Sequence, residues 1–362
     1  MKRVARLADP ERPILITGGC GFIGCNLANA LASRGRQVIA LDNFARAGAQ
    51  ENRDWLKSRH GERVVIEPAD VRDADVLDAL VARAGAILHL AAQVAVTTSL
   101  DDPKADFSVN AAGTLNVLEA VRRRNPAAPV IFASTNKVYG RLFSNDAVAL
   151  RGDRYEPIDK ACARGIGENT PLDLYSPYGC SKGAADQYVL DYARVFGLRT
   201  AVFRMSCIYG VRQFGTEDQG WVAHFLKQAI AGRPITLYGD GCQVRDILYI
   251  DDAVNAWIGA LDRIDSISGR VFNLGGGIAN SVSLRELLDL IAGVLGRRSR
   301  IVHDDWRPGD QPWYVSDITA IGRAIEWSPR VPVRAGIAAL LAWLTRSLAP
   351  QAAADTLVGA QA

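Results

Sequence analysis

Tyr178 and Lys182 stand four residues apart in Ser176-Pro177-Tyr178-Gly179-Cys180-Ser181-Lys182. On a helix, positions i and i+4 share a face, so the phenol and the ammonium become neighbours. A nearby positive charge favours the tyrosinate and lowers the phenol's pKa. Such a tyrosine can exchange a proton with a substrate hydroxyl near neutral pH. Ser176 suits a helix cap and Pro177 a first helical turn, which places the pair just inside a helix start.

A second group of residues has the chemistry of phosphate binding. In Thr17-Gly18-Gly19-Cys20-Gly21-Phe22-Ile23-Gly24, three glycines (Gly18, Gly21 and Gly24) fit a GxxGxxG loop, with Phe22 and Ile23 opening a helix. The glycines permit a tight turn and let backbone N–H groups approach a pyrophosphate at the helix N-terminus. Asp42 follows Gly24 by eighteen residues. That spacing suits a carboxylate on the adenosine ribose, which would repel a 2′-phosphate and so favours NAD over NADP. Arg46 keeps NADP open, and Asn43 belongs to the same cofactor pocket. Asp70 is placed to meet the adenine amino group and Val71 to cover the ring. After His89, read as a buried structural histidine, the run Leu90, Ala91, Ala92 and Gln93 lets a cofactor lie close to the backbone. Thr135 ends another apolar run, where its hydroxyl can reach a substrate oxygen beside Tyr178.

The elements that must position these groups follow from short apolar runs at Ile14–Ile16, Val38–Leu41, Val64–Ile66, Ala86–Leu90, Val130–Ala133 and Ala201–Phe203. Their brevity and β-branched content, with helical patterns between them, predict an α/β Rossmann-type fold: a doubly wound parallel sheet. After Phe203 the rhythm becomes irregular and richer in Gly and Pro. This predicts a smaller, discontinuous α/β substrate-binding lobe over about 204–245 and 262–348, with helices at Trp221–Ala231 and Leu284–Leu295. The cofactor domain would take 1–203 and about 246–261. The segment 349–362 reads as a frayed tail.

The 362 residues are 49% hydrophobic and 22% charged, with net charge +3, as in an ordinary globular protein. The small charge gives no reason to invoke nucleic acid or a membrane surface. The ten-residue apolar run Ala335–Leu344 is too short to span a bilayer, and no secretory signal is visible. Six scattered cysteines (20, 25, 162, 180, 207 and 242) read as reduced thiols of a cytoplasmic protein. Four dispersed histidines (60, 89, 224 and 303) give a metal site no support.

Glycine loop, Asp42, Thr135, Tyr178 and Lys182 together resemble the extended short-chain dehydrogenase/reductase family, the NAD-dependent epimerases and dehydratases, over about residues 12–345. The resemblance implies that Tyr178 accepts and donates the proton, that Thr135 is its partner on the reacting hydroxyl, and that Lys182 binds the nicotinamide ribose. It implies a nucleotide-diphosphate sugar as substrate. Arg245, in Gly239-Asp240-Gly241-Cys242-Gln243-Val244-Arg245-Asp246, and Arg307, in Arg307-Pro308-Gly309-Asp310-Gln311, match arginines that meet the substrate pyrophosphate. Asn136, Lys137, Ser206, Gln213 and Gln219 complete the expected substrate set. At Ser206-Cys207 the chain departs from many members, which carry asparagine there. Members often pair into homodimers or homotetramers through helices flanking the active site.

Sugar-nucleotide 4,6-dehydratases usually carry Thr-Asp-Glu where this chain has Thr135-Asn136-Lys137. Without that acid and base, elimination of water lacks its proton carriers, and reversible redox remains. Longer phrases, Ser134–Gly140, Ser176–Tyr188, Asp218–Val222, Gln93–Ala95 and Phe44–Trp55, resemble the CDP-tyvelose (CDP-paratose 2-) epimerase branch of the family. That resemblance implies C2 epimerisation of a CDP-linked hexose through a 2-keto intermediate. Epimerisation of a GDP- or UDP-hexose, or at C4, stays open, as do a dehydratase and a non-enzymatic NAD-binding sensor.

Overall fold

The computed structural model describes residues 11–307 and 310–359. Seven strands form the central sheet: β1 (Ile14–Thr17), β2 (Val38–Asp42), β3 (Val64–Pro68), β4 (Ala86–His89), β5 (Val130–Thr135), β6 (Thr200–Met205) and β7 (Arg270–Leu274). Their order is β7-β6-β5-β4-β1-β2-β3, and every pairing is parallel. Every residue of β1, β2, β4 and β5 is buried, as expected of strands covered by helices on both faces. The chain order reverses between β1 and β4. Loops leaving the carboxyl ends of these strands therefore diverge and open a crevice. The glycine loop follows β1, and Thr135 closes β5 at the same edge.

The six apolar runs of the sequence are the first six strands. The seventh, Arg270–Leu274, lies in the stretch 262–348 that the sequence reading gave to the second lobe, yet it pairs with β6 from Arg270↔Ala201 to Leu274↔Met205. No second βαβ rhythm announces it, because the chain reaches it through an excursion. That excursion includes Val244–Tyr249, which pairs with Ser281–Ser283, Trp313–Tyr314 and Cys207–Tyr209, and not with the central sheet. A hairpin, Val148–Arg151 with Arg154–Pro157, also departs from the reading of 1–203. Tyr155 donates from its backbone to Cys242 O at 2.9 Å and from its hydroxyl to Asp240 at 2.5 Å, so the hairpin packs on the second lobe.

The two expected helices are present as Trp221–Ile230 and Leu284–Leu295. The latter starts with a reciprocal capping box between Ser283 and Glu286. The last helix runs Val333–Gly359, through most of the segment read as a frayed tail. Its alanine-rich composition favours helix more than its low packing capacity disfavours it. Residues 360–362 of that segment lie outside the described residues. No described helix is long and apolar enough to cross a membrane.

The helix Ser176–Phe196 carries the Tyr–Lys pair along the edge of β5 and β6. Ser176 itself has φ of +73°, outside helical geometry, and its Oγ accepts the Gly179 N–H at 3.2 Å. The serine thus caps the turn that holds Tyr178, at the cost of a left-handed backbone. Ten residues into the helix, Asp186 is fully buried against Arg204 of β6. Both carboxylate oxygens accept from the guanidinium, at 2.9 and 3.0 Å, and Ser134 of β5 adds a bond of 2.8 Å. Arg204 continues to the Tyr139 hydroxyl at 3.2 Å, which donates to Asn273 of β7 at 2.7 Å. One buried polar chain therefore ties helix, β5, β6 and β7 in register.

Removing one partner of a buried ion pair strands the other charge, at a cost of about 3–5 kcal/mol. Arg204→Met is expected to lower the urea midpoint accordingly. Pairing it with Asp186→Leu should recover much of the loss, since neither charge is then left alone. Urea unfolding of the two variants checks this.

Candidate active site

The glycine loop is fixed by close packing on one side and left open on the other. Gly18 has φ of +68°, and a Cβ there would meet Ala91 N at 2.9 Å. A Cβ on Gly24 would lie 2.1 Å from Gly18 O, and one on Gly19 would lie 2.6 Å from the Ala40 Cβ. At Gly21 the nearest atom would be Gly18 O at 3.2 Å, so its outer side is free for a ligand. Gly21 precedes the helix Phe22–Ser33 with no side-chain cap and no acidic residue in the first turn. Its N–H groups thus face the crevice as an anion site.

Asp42, at the end of β2, receives the Cys20 N–H at 2.9 Å and the Phe44 N–H at 2.8 Å. Burial raises its pKa, and the backbone N–H groups of Phe44, Cys20 and Gly21 act the other way. The carboxylate expected on a ribose also braces the glycine loop. Asn43 donates to Asp70 at 2.7 Å, which joins two predicted cofactor residues. Arg72 binds Asp70 through two nitrogens at 2.9 Å and, as the largest cause, lowers its pKa to about 2. Val71 is buried where Gly113 approaches it. Leu90 and Ala91 donate to the Thr17 hydroxyl, each at 3.2 Å, and Gln93 donates its backbone N–H to Asn110 at 2.9 Å. Ala92 is half-buried between them. These residues lie at or just after the carboxyl ends of β1 to β4, on the side of the sheet where the glycine loop opens.

His89 is the structural histidine the sequence suggested. Its ring bonds the hydroxyls of Thr17 at 2.7 Å and Thr114 at 3.0 Å. Burial, with the Lys182 charge, lowers its pKa to about 3.

Thr135 and Tyr178 are brought together, close enough that the Thr135 hydroxyl acts to lower the phenol's pKa. The expected effect of Lys182 on the phenol is corrected. Burial pushes Tyr178 up to about 12, Thr135 opposes this, and the Asp106 charge raises it further; Lys182 is not among the causes. Helical spacing put both side chains on one face, but desolvation is what dominates the phenol. Lys182 instead sits over the Phe132 ring, 4.1 Å from its centroid. Burial lowers its pKa to about 7, against the pull of Asp186 and Asp106. The lysine is therefore poised near neutrality.

Sequence reasoning missed the support behind this pair. Asp106 accepts Asn110 at 3.1 Å and the Ser181 hydroxyl, while Asn110 also donates to Ser181 at 3.0 Å. Ser181 was in view within the tyrosine phrase, but nothing local linked it to Asp106, 75 residues away.

The substrate side holds further surprises. Arg245, from the second lobe, is buried and donates to Asp310 at 2.5 Å. Lys137 Nζ lies 3.9 Å from the same oxygen. Asp310 was within the quoted arginine phrase, yet only the fold shows which cations it serves. Arg307 stacks on Tyr238, 3.9 Å from the ring centroid, and faces Glu217 and Asp218. Asn136 is buried and accepts the Thr135 hydroxyl at 3.4 Å. Gln213 is buried, donating to Ile208 O at 3.2 Å with its Oε1 unpartnered. Gln219 is exposed in a turn, where its carbonyl accepts the Thr216 N–H. Ser206, expected in the substrate set, donates its hydroxyl to Asp246, at 2.5 Å to the carboxylate and 3.0 Å to the carbonyl. A buried carboxylate needs that donor, so the serine braces the second lobe.

The sequence profile of the NAD dependent epimerase/dehydratase family matches residues 14–275, which contain the whole glycine loop, Thr135, Tyr178 and Lys182. The chain belongs to this family. It is 45% identical to the CDP-paratose 2-epimerase of Salmonella typhi over 91% of this chain and 98% of that protein. It is 31% identical to the UDP-glucose 4-epimerase of Mycolicibacterium smegmatis, over 90% and 96% of the two chains. Among solved structures, UDP-glucuronic acid 4-epimerase from Bacillus cereus, with UDP-glucuronic acid and NAD, superposes with a TM-score of 0.80 at 26% identity, covering 92% of this chain and 99% of that one. The cofactor is NAD, as the family and such NAD-bound neighbours show. The cradle around Gly21 fits it: Asp42, Asn43 and Asp70 would hold the adenosine, the glycine loop the pyrophosphate, and Tyr178 with Lys182 the nicotinamide end.

Two outcomes separate cradle from scaffold. Gly21→Ala should leave the melting temperature of the NAD-free protein nearly unchanged and weaken NAD binding. Gly24→Ala should lower that melting temperature directly, because its Cβ cannot be placed. Thermal melts with and without NAD read both. His89 supplies a pH test. Its folded pKa of about 3 lies below its ordinary 6.5, so between these values the unfolded chain binds the extra proton. Stability contributed by neutral His89 is present above that window and is lost as pH falls through it. In His89→Gln, the drop in urea midpoint from about pH 7 to about pH 4 should be smaller.

Proposed function

We propose that this nucleotide-sugar epimerase inverts C2 of a CDP-linked hexose of the paratose/tyvelose type, through a 2-keto intermediate. The observation that carries the reading is 45% identity over nearly the full chain to a CDP-paratose 2-epimerase, against 31% or less to the UDP-sugar 4-epimerases. Asn136 and Lys137 stand where a dehydratase needs its acid and base, which supports redox without elimination.

NAD, when bound, supplies the acceptor that takes the hydride from the sugar and returns it. Tyr178 removes the proton from the C2 hydroxyl and later restores it, with Thr135 aligning that oxygen through its hydroxyl. The buried phenol is protonated at neutral pH in the protein alone, so it must lose that proton before it can take the one from C2. The positive charges of protonated Lys182 and of the nicotinamide ring, once NAD is bound, would favour the tyrosinate. Lys182, at about 7, gives and takes charge beside it at little cost. Arg245 and Arg307 anchor the diphosphate while the ketone turns its other face. A second copy of the chain is expected against the exposed Tyr188, Val195 and Phe196 of the tyrosine helix and Leu100 and Phe107 beside it.

Incubation with CDP-, UDP- and GDP-hexoses tests the assignment by product stereochemistry. The expected product is the C2 epimer of the CDP sugar; inversion only at C4 would replace this reading with the 4-epimerase one. Tyr178→Phe should reduce turnover by at least about a thousandfold while sparing NAD affinity. Near-normal turnover in that variant would remove Tyr178 from the chemistry.

A further inference from the structure

Lys137 lies two residues beyond Thr135, on the turn Asn136–Tyr139, and its N–H donates to the Thr135 hydroxyl at 3.2 Å. Its side chain is about a quarter exposed (26%). The ammonium and the Arg245 guanidinium share one carboxylate, Asp310, at 3.9 and 2.5 Å. The nearby Cys207 thiol, raised in pKa by burial, adds no negative charge at neutral pH. Two cations and one carboxylate leave a surplus positive charge among largely buried side chains. Such a surplus is unfavourable until an anion joins it. Arg307, by contrast, already faces two carboxylates.

We infer that Lys137 binds the sugar-proximal phosphate of the nucleotide beside the Thr135–Tyr178 pair, and that this contact selects C2 as the reacting carbon. The inference deepens the proposed function and rests on its C2 reading. In a nucleotide-linked pyranose, C1 carries the phosphate. C2 is bonded to C1, whereas C4 lies across the ring. A sugar that presents C4 to Tyr178 holds its proximal phosphate a ring's width away. A sugar that presents C2 must bring that phosphate close to the catalytic hydroxyls. A cation two residues from Thr135, and linked through Asp310 to the diphosphate arginine, stands where only the second arrangement needs one. Lysine suits the place, since its flexible stem carries three donors to a phosphate that moves as the ketone turns. Lys137 is thus a positioning residue; the proton chemistry stays with Tyr178.

The test compares CDP with CMP, which lacks the sugar-proximal phosphate, by calorimetric titration into the NAD-loaded protein. In Lys137→Met, CDP should bind about tenfold more weakly while CMP affinity stays within about twofold. Lys137→Arg, which keeps the charge, should restore CDP binding. The methionine variant should also lose C2 epimerisation mainly through a raised KM. Equal weakening of CDP and CMP would show a merely structural lysine and overturn the inference, as would unchanged CDP binding in a folded Lys137→Met protein. The reading beneath it fails separately: a parent protein that inverts only C4 would refute C2 selection, while the CDP–CMP contrast would still decide the phosphate contact.

Discussion

Everything at this site depends on keeping ionisable groups dry beside a redox cofactor, and the buried Asp186 carboxylate is what makes that possible. Desolvation alone would push Lys182 further toward its neutral form. Asp186 and Asp106 hold it near neutrality. Asp186 can stay charged inside the protein only because Arg204 and Ser134 satisfy it. The same bonds fix the tyrosine helix against β5 and β6, so the electrostatics of the lysine and the placement of Tyr178 have one cause. Thr135 ends β5 one residue after Ser134, which places the reacting hydroxyls by the same constraint.

The second lobe answers a different requirement. The arginines proposed to grip a diphosphate are each partnered by carboxylates of their own chain, Arg245 by Asp310 and Arg307 by Glu217 and Asp218. These carboxylates keep clustered cations compatible with folding. Asp246 and Ser206 give the lobe its own buried anchor, next in sequence to Arg245. A rigid sheet and an excursion that returns to it through β7 therefore hold cofactor and substrate sides in one frame.

Much of this was legible in the sequence because it is local. The glycine loop, Asp42 after β2 and Thr135 at the end of β5 announce themselves by spacing, and the parallel strands by short β-branched runs. What stayed hidden is long-range. Asp106 meets Ser181, Tyr155 meets Asp240, and β7 joins β6 only after the chain has left for part of another lobe. The partner of Ser206, Asp246, is forty residues on. The phenol's pKa was misjudged for a related reason. Spacing reports neighbours on a helix face, but not how completely the fold removes water from them.

The account turns on one claim: a hydride leaves the sugar at C2 and returns to the same carbon, with Tyr178 handling only the proton. A CDP-linked substrate carrying deuterium at C2 tests it in ordinary water. The account predicts that the epimer retains the deuterium at C2. Replacement of that deuterium by solvent hydrogen during turnover would contradict it.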